Sequence, residues 1–199
     1  MTVDHPGFPA NADFVALGLG SNVGDRLRCL RRGLLALAEH PGLRLTGCSR
    51  VWETEYVGPG RQDPYLNLVC CGASTLAPLD LLAVAKDLEA QLGRAPDGHL
   101  LPRTLDVDIL LYGARRLADA QLSLPHPRAR ERAFVLAPLA EVAPAAVFPD
   151  SGETAAAAWA RIRTVDGPWL RPWPEPALPA QIDGDHEEAW RAALAVHCR

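Results

Sequence analysis

Two aspartates, Asp106 and Asp108, stand two residues apart in an otherwise apolar stretch of the chain. If this stretch is a β-strand, both carboxylates point to the same face, about 6.6 Å apart along the strand, and can bind the same cations. Such oxygen ligands suit Mg²⁺, which shares its coordination shell with water and substrate phosphates. An isolated pair of this kind is more often the solvent-facing side of an amphipathic strand. Arg103, just upstream, favours the metal interpretation, because a guanidinium beside a metal-bound phosphate makes strong charge-assisted contacts.

A second group of polar residues lies in the proline-bounded segment 125–134. It contains one histidine and three arginines: His126, Arg128, Arg130 and Arg132. These residues would suit a triphosphate, although a solvated basic turn explains the segment equally well on its own. Phe134 would by default belong to a helix core. Together with Tyr65, however, it could stack on a flat heterocycle.

The glycine-bearing turn 21–25 is interpreted as an ordinary helix N-cap. A phosphate-binding role is the weaker alternative there, because the chain has neither a Gly-Lys-Ser/Thr nor a GxGxxG pattern. Glu89 and Arg94 flank the end of a predicted helix, where spacing alone indicates exposed terminal charges.

The hydrophobic pattern predicts the elements that must position these residues. Buried or half-buried strands are expected at residues 14–20, 43–54, 65–74 and 104–112. Helices are expected after the turn at 21–25 as far as Pro41 and Gly42, and from Pro78 to Gly93. Further along the chain, the pattern indicates an edge hairpin at 115–123, a loop at 125–132, helices at 133–142 and 155–163, a proline-rich extended segment and a last helix at 187–196.

The order strand, helix, strand, strand, helix, strand is that of an α+β, ferredoxin-like βαββαβ sandwich. In this arrangement two helices cover one face of an antiparallel sheet, and we expect the opposite face to be free for ligands. A helical and extended appendage would follow at the C-terminal end. The proposed divisions are a flexible leader at 1–13, one domain at 14–166 and a C-terminal extension at 167–199.

The composition excludes several classes of protein. The 199 residues carry a net charge of -4 without a basic stripe, which argues against a nucleic-acid partner. An RNA-binding ferredoxin-like domain is also disfavoured because the central strands lack aromatic pairs. The five cysteines lack CxxC spacing, and no stretch resembles a signal peptide or a membrane span. We therefore expect a soluble, cytoplasmic protein with no membrane partner.

Several motifs together resemble the 6-hydroxymethyl-7,8-dihydropterin pyrophosphokinases of folate biosynthesis. They are LGSNVGDR at 19–26, Thr54, GP and YLN within 53–67, GR at 93–94, PRTLDVDIL at 102–110, LPHP at 124–127 and RAFVL at 132–136. The resemblance spans about residues 14 to 150, and its order and spacing make it far more specific than any single motif. The family's ferredoxin-like fold agrees with the element order above.

The resemblance implies a transfer of pyrophosphate from ATP to the hydroxymethyl group of the pterin, with release of AMP. It implies Mg²⁺, with two ions expected, held by Asp106 and Asp108, and Asp108 could also help to deprotonate the attacking hydroxyl. Arg94 and Arg103 match catalytic arginines near the phosphates. The residues that match ATP contacts are Glu89, Ile109, His126 and Arg132. Those that match pterin contacts are Thr54, Val57, Tyr65, Asn67 and Phe134.

The chain departs from the family pattern mainly in the loop 94–103. Pro96 and Leu100 stand where relatives carry a second arginine and a tryptophan, which predicts a less effective or differently timed closure of this loop. The segment Asp97-Gly98-His99 could compensate. The tail beyond residue 167 also lies outside the pattern, and it could pack on the domain, join subunits or bind a partner.

The leading hypothesis is therefore an active pyrophosphokinase that is a monomer or a weak homodimer. Its alternative is a non-catalytic small-molecule-binding module on the same fold, which the altered loop supports. Formation of AMP from ATP and the pterin distinguishes the two.

Overall fold

The computed structural model describes residues 9, 11–94, 101–163 and 168–174. Its strands are β1 (Asp13–Ser21), β2 (Leu43–Cys48), β3 (Trp52–Thr54), β4 (Tyr65–Ser74), β5 (Asp106–Tyr112), β6 (Leu117–Ala118), β7 (Ser123–Leu124) and β8 (Leu170–Pro172). Its α-helices are α1 (Arg26–Glu39), α2 (Pro78–Gln91), α3 (Ala133–Val142) and α4 (Ala155–Ile162), and a short 3-10 helix occupies Ala129–Glu131. The predicted last helix at 187–196 and most of the loop 94–103 lie outside the described residues.

Six strands form one antiparallel sheet in the order β5-β1-β4-β3-β8, and β2 pairs with β4 as well. The strands β2 and β3 both pair with the same edge of β4. β2 pairs with the C-terminal half of β4, and β3 pairs with its N-terminal end. This differs from the single strand expected at 43–54. The break falls at Ser49, whose backbone N–H and side-chain hydroxyl both bond to the backbone of Val69, so the chain leaves the regular ladder and re-enters it at Trp52.

Helices α1 and α2 cover one face of the sheet, as the sequence predicted. Leu30, Leu34 and Leu37 recur at helical spacing on α1 and are fully buried. The Asp25 side chain caps this helix by accepting a hydrogen bond from the Arg28 N–H at 3.0 Å, which confirms the N-cap interpretation of the turn. The two helices and the sheet enclose the larger hydrophobic core.

Helices α3 and α4 cover part of the opposite face, which the sequence had predicted to be free for ligands. They enclose a second core with the sheet residues Ala16, Val69, Cys71, Leu110 and Leu111. The prediction was wrong because these strands are apolar on both faces, and the second apolar face must also be removed from water. A bulge in the pairing of β1 with β5 leaves Leu110 without a partner on β1, so both Leu110 and Leu111 reach this core.

In the described part of the chain, the end of the second face near Asp106 and Asp108 stays open. The predicted edge hairpin forms a separate two-stranded sheet, β6 with β7. Residues 168–174, assigned by sequence to the C-terminal extension, add the strand β8 to the main sheet, while the division of the chain at residue 166 stays a prediction. The α+β fold class is confirmed.

Candidate active site

The open end of the sheet is made by two glycines of β1 that stand opposite the two aspartates of β5. Gly20 pairs with Asp106 and Gly18 with Asp108. A Cβ at Gly20 would lie 2.9 Å from the side-chain oxygen of Asn67, and one at Gly18 would lie 3.4 Å from Leu110. The missing side chains therefore leave room above the sheet, and Gly20 allows Asn67 to approach the strand closely.

A cavity of about 480 Å³ opens at this place. It is lined by most of the site residues predicted from the sequence: Thr54, Val57, Tyr65, Asn67, Arg94, Arg103, Asp106, Asp108, His126, Arg132 and Phe134. Two predicted ATP contacts do not line it. Glu89 is buried behind Arg94, and the Ile109 side chain is buried in the larger core.

Asp106 is held between two arginines. Arg94 donates to one of its oxygens at 2.6 Å and Arg103 donates to the other at 2.5 Å. The same Arg94 nitrogen lies 2.5 Å from Glu89. These contacts fix both guanidinium groups at the mouth of the cavity, where an incoming phosphate chain could accept their hydrogen bonds.

Glu89 is only 2% exposed, so the expectation that it is an exposed helix-terminal charge was wrong. It accepts a hydrogen bond from the Val107 N–H at 2.8 Å and pairs with Lys86 as well as with Arg94. Burial raises the pKa of Glu89, although these three partners favour its charged form. The helix end was misjudged because spacing along α2 does not reveal that β5 packs beside it.

Asp108 lies next to a histidine and a cluster of positive charges. Burial, and secondarily the Asp106 carboxylate, raise the pKa of Asp108, while His126, Arg132 and Lys86 oppose that shift. Burial lowers the pKa of His126, which favours its neutral form. His126 Nδ1 accepts from the Arg128 N–H at 3.3 Å, so the neutral ring carries its proton on Nε2.

The donor set fits Mg²⁺ shared with a substrate. Within 11–94, 101–163 and 168–174, no group of three or more His, Cys, Asp or Glu residues could enclose a metal ion by itself. Two carboxylates at one wall of a polar cavity are what Mg²⁺ uses when phosphates and water complete its shell. A closed structural site, such as that of Zn²⁺, would need more protein ligands.

The other half of the cavity offers hydrogen bonds and aromatic rings. The Asn67 side-chain N–H donates to the Thr54 hydroxyl at 2.7 Å. The amide oxygen of Asn67 can then accept a hydrogen bond from a ligand. Tyr65 stacks against Tyr56 with ring centroids 6.3 Å apart, and the Arg132 guanidinium lies 5.3 Å from the Phe134 ring centroid. A planar molecule with both donors and acceptors on its edge would match this surface.

Sequence reasoning missed several cavity residues. Lys86 stands one turn before Glu89 on α2, and that i, i+3 spacing was the available signal. Arg128 lies in the basic segment but was not singled out as a site residue, and Tyr56 lies two residues after Thr54. All three line the cavity.

Asn22 joins the two loops at the mouth of the cavity. Its side-chain N–H donates to the Gln62 side chain at 2.9 Å, and its oxygen accepts from the Arg103 N–H at 2.7 Å. It is 3% exposed. The sequence pattern indicated only a capping role for this turn, because the two loops that Asn22 connects are distant along the chain.

In the part of the chain that the structure covers, no helix has the length and apolar character needed to cross a membrane.

Comparison with known proteins finds the same family throughout. Residues 16–144 match the family model of 7,8-dihydro-6-hydroxymethylpterin-pyrophosphokinase (HPPK). A 2-amino-4-hydroxy-6-hydroxymethyldihydropteridine pyrophosphokinase of Methylorubrum extorquens is 42% identical over 146 residues, which cover 73% of this chain and 91% of the relative. The enzyme of that name from Bacillus subtilis is 41% identical over 126 residues, 63% of this chain and 75% of its own.

Solved structures agree on the fold. An HPPK-DHPS protein in complex with substrates superposes with a TM-score of 0.60 at 12% identity, over 75% of this chain and 44% of its own. The wild-type Plasmodium falciparum HPPK-DHPS gives a TM-score of 0.55 at 16% identity, over 75% of this chain and 43% of its own. This chain thus spans less than half the length of those proteins, and at such identities the likeness supports the fold alone.

Proposed function

Because this chain belongs to the 7,8-dihydro-6-hydroxymethylpterin-pyrophosphokinase family, we propose that the cavity at the open end of its sheet is the pyrophosphokinase site and that Asp106 and Asp108 hold Mg²⁺ there. The chain transfers pyrophosphate from ATP to the hydroxymethyl group of 6-hydroxymethyl-7,8-dihydropterin, releasing AMP, in folate biosynthesis. Each half of the cavity would bind one of the two substrates.

One observation carries the assignment. A single cavity has a charged half, with an aspartate pair facing arginines and a histidine, and a second half with aromatic rings and the amide of Asn67. The charged half suits a metal-bound triphosphate and the other half a pterin, so the β-phosphorus and the hydroxymethyl oxygen would meet between them.

In the charged half, Asp106 and Asp108 are the proposed ligands of two Mg²⁺ ions. Mg²⁺ held by these two residues would supply positive charge that offsets the charge developing on the phosphates during the transfer. Arg94 and Arg103 exchange part of their bonding with Asp106 for bonds to phosphate oxygens. Arg132 adds positive charge, and the Nε2–H group of His126 donates a hydrogen bond to the nucleotide.

Glu89 acts indirectly in this proposal. Its buried carboxylate holds the Arg94 guanidinium at 2.5 Å and is itself anchored by the Val107 N–H. We therefore assign it the positioning of Arg94 rather than direct contact with ATP. Ile109 is assigned to ATP through its backbone alone, because its side chain is buried in the core.

In the pterin half, Tyr65 and Phe134 provide the stacking surfaces, and Thr54, Val57 and Asn67 surround the edge of the ring system. The hydroxymethyl oxygen attacks the β-phosphorus, the bond from that phosphorus to the α,β-bridging oxygen breaks, and AMP leaves. Asp108 accepts the hydroxyl proton. Asp108 lines the cavity, and a carboxylate there can take this proton when the hydroxyl lies within hydrogen-bond reach of it.

The test is to incubate the protein with ATP, Mg²⁺ and 6-hydroxymethyl-7,8-dihydropterin and to measure AMP by chromatography. We expect Asp108→Asn to lower kcat by roughly 10²- to 10⁴-fold. The matched control is Asp119→Asn, which changes an exposed carboxylate in the β6–β7 turn whose oxygen accepts from the Gln121 N–H. That variant should keep wild-type turnover.

A second readout separates metal binding from turnover. Mn²⁺ binding with a non-hydrolysable ATP analogue, followed by electron paramagnetic resonance, should weaken in Asp106→Asn and Asp108→Asn and not in Asp119→Asn. Unchanged Mn²⁺ binding in both site variants would refute the metal assignment. Well-folded wild-type protein that binds ATP and pterin but forms no AMP would instead support the non-catalytic binding module.

A further inference from the structure

The strand β8 covers the outer edge of β3, the short strand that leads into the proposed pterin half of the cavity. Glu53 pairs with Arg171 in register, and Thr54 pairs with Leu170. The pairing continues beyond the strand at both ends, because the Glu55 N–H donates to the Trp169 carbonyl at 3.0 Å and the Trp173 N–H donates to that of Val51 at 2.9 Å. This segment lies outside the residues 16–144 that match the family model.

A buried carboxylate connects β8 to the body of the domain. Glu53 is 5% exposed, and one of its oxygens accepts from Arg171 at 3.0 and 2.6 Å. Its other oxygen accepts from Arg26, the first residue of α1, at 3.1 Å. The Arg26 guanidinium also lies 5.2 Å from the ring centroid of Trp173. Two arginines from distant segments therefore share one carboxylate.

These contacts hold both ends of the loop that borders the pterin half. The loop begins after Thr54, and it ends at Pro64, whose carbonyl accepts from Arg26 at 2.7 Å. Without β8, the start of the loop would be attached through three residues of β3 on one side only. Strands this short at a sheet edge are weakly held.

We propose that residues 168–174 are a positioning element for the pterin, in which Arg171 acts through Glu53 to hold Thr54 and the loop 55–64 in place. Thr54 accepts the hydrogen bond that orients Asn67, so a shift of β3 would turn the Asn67 amide away from the ring edge. The nucleotide half is built on α2, β5 and the basic segment. It is linked to the loop 55–64 through Asn22, which bonds to Gln62 and to the Arg103 backbone, and not through Arg171 or Glu53. This inference rests on the proposed location of the pterin.

The experiment measures pterin and nucleotide binding separately in the full chain with Arg171→Ala. We expect the Kd and KM for the pterin to rise about fivefold, which corresponds to ~1 kcal/mol, the upper value for an exposed ion pair. The Kd of a non-hydrolysable ATP analogue and kcat at saturating pterin should change less than about twofold. Arg171→Lys should restore part of the pterin affinity, because it keeps the charge opposite Glu53.

Arg161→Ala is the matched control, since Arg161 also forms a two-nitrogen ion pair on the surface, with Glu153 beside α4. It should leave pterin affinity unchanged. In a double-mutant cycle of Arg26→Ala with Arg171→Ala, the changes in the free energy of pterin binding should not be additive, because both residues act on Glu53.

Three outcomes overturn the inference. One is an Arg171→Ala variant that loses thermal stability but keeps its pterin Kd, which would make β8 only a structural cap. Another is an equal effect of Arg171→Ala and Arg161→Ala. The third comes from a parallel measurement on Asn67→Ala. If Asn67→Ala loses pterin binding and Arg171→Ala does not, only the proposed role of β8 is refuted. Unchanged binding in both variants refutes the proposed pterin site itself.

Discussion

At the scale of single residues, Asp108 is an acid placed where its charge is unfavourable. Burial and the neighbouring Asp106 raise its pKa, and His126, Arg132 and Lys86 only partly offset this. A carboxyl group whose pKa is raised on folding stabilises the folded protein while it is protonated, and this stabilisation is lost as pH rises through the folded-state pKa. The site thus holds a charge that the fold alone would not favour.

We therefore expect Asp108→Asn to be more stable than the wild type at neutral pH when metal and nucleotide are absent. The gain should be ~0.5–2 kcal/mol, the usual size when an active-site charge is removed. It should shrink as pH falls below the raised pKa of Asp108, because the wild-type carboxyl is then neutral too. Thermal unfolding of both proteins between pH 3 and 8, at about constant ionic strength, measures this. A wild type as stable as the variant at neutral pH would contradict the prediction.

At Gly20, the surrounding side chains leave no room for a larger residue. A methyl group there would press on the Asn67 oxygen at 2.9 Å and on the Tyr65 ring at 3.5 Å. Since Asn67 is tied to Thr54, it cannot retreat without losing that hydrogen bond. We expect Gly20→Ala to raise the pterin Kd roughly tenfold, as overpacking that costs about 1.4 kcal/mol would do.

Gly18→Ala provides the comparison for Gly20, because a Cβ at Gly18 would lie 3.4 Å from its nearest neighbour, the Leu110 side chain, which is an ordinary van der Waals distance. Isothermal titration with the pterin should give a wild-type Kd for Gly18→Ala. Equal losses in the two variants would mean that crowding of the strand, not displacement of Asn67, causes the effect.

At the scale of elements, the two loops beside the cavity are coupled by the turn between β1 and α1. Asn22 bonds to Gln62 on one side and to the Arg103 backbone on the other. We expect Asn22→Ala to lower the free energy of unfolding by about 1–3 kcal/mol, because buried polar groups lose their partners. It should also weaken binding of both the pterin and the ATP analogue.

Asn22→Asp dissects this coupling. Aspartate keeps the acceptor for the Arg103 N–H but loses the donor to Gln62, so pterin binding should weaken while binding of the ATP analogue is largely kept. Measured affinities for the two ligands check this directly. Equal weakening of both by Asn22→Asp would show that the two loops do not respond separately.

The sequence predicted helices and strands well where residues within the element itself determine its bounds. The bounds of β4 and α3 agree with the sequence expectation residue for residue, because Gly and Pro punctuation and hydrophobic periodicity are local signals. The break at Ser49 was missed, since it depends on a bond to Val69 on another strand. The burial of Glu89 and the covering of Ala16 and Leu110 likewise depend on which segments meet in space.

For the site, most residues of the recognisable motifs line one cavity, although Ile109 does not. Lys86 carried a local signal in its i, i+3 spacing to Glu89, whereas the residue type of Tyr56 carries no local mark of a function. The roles of these residues stay predictions.

At the scale of the whole molecule, the sheet connects two cores, and the described residues leave one end of one face open. The helices α1 and α2 close the first core, and α3 and α4 close the second. The cavity lies where the second layer of helices stops, so its floor is the sheet that both cores hold in place. A floor of this kind suits a reaction that depends on placing two substrates rather than on covalent catalysis.

The strand β8 also has a consequence for how copies of this protein behave toward one another. It pairs with the outer backbone groups of β3, and Pro172 at its end cannot donate to a further strand. A fragment that ended after α4, at residue 163, would keep both cores but lack this cover, and the bare edge of β3 would be a template for intermolecular strand pairing and aggregation. The last described segment thus protects the colloidal stability of the protein.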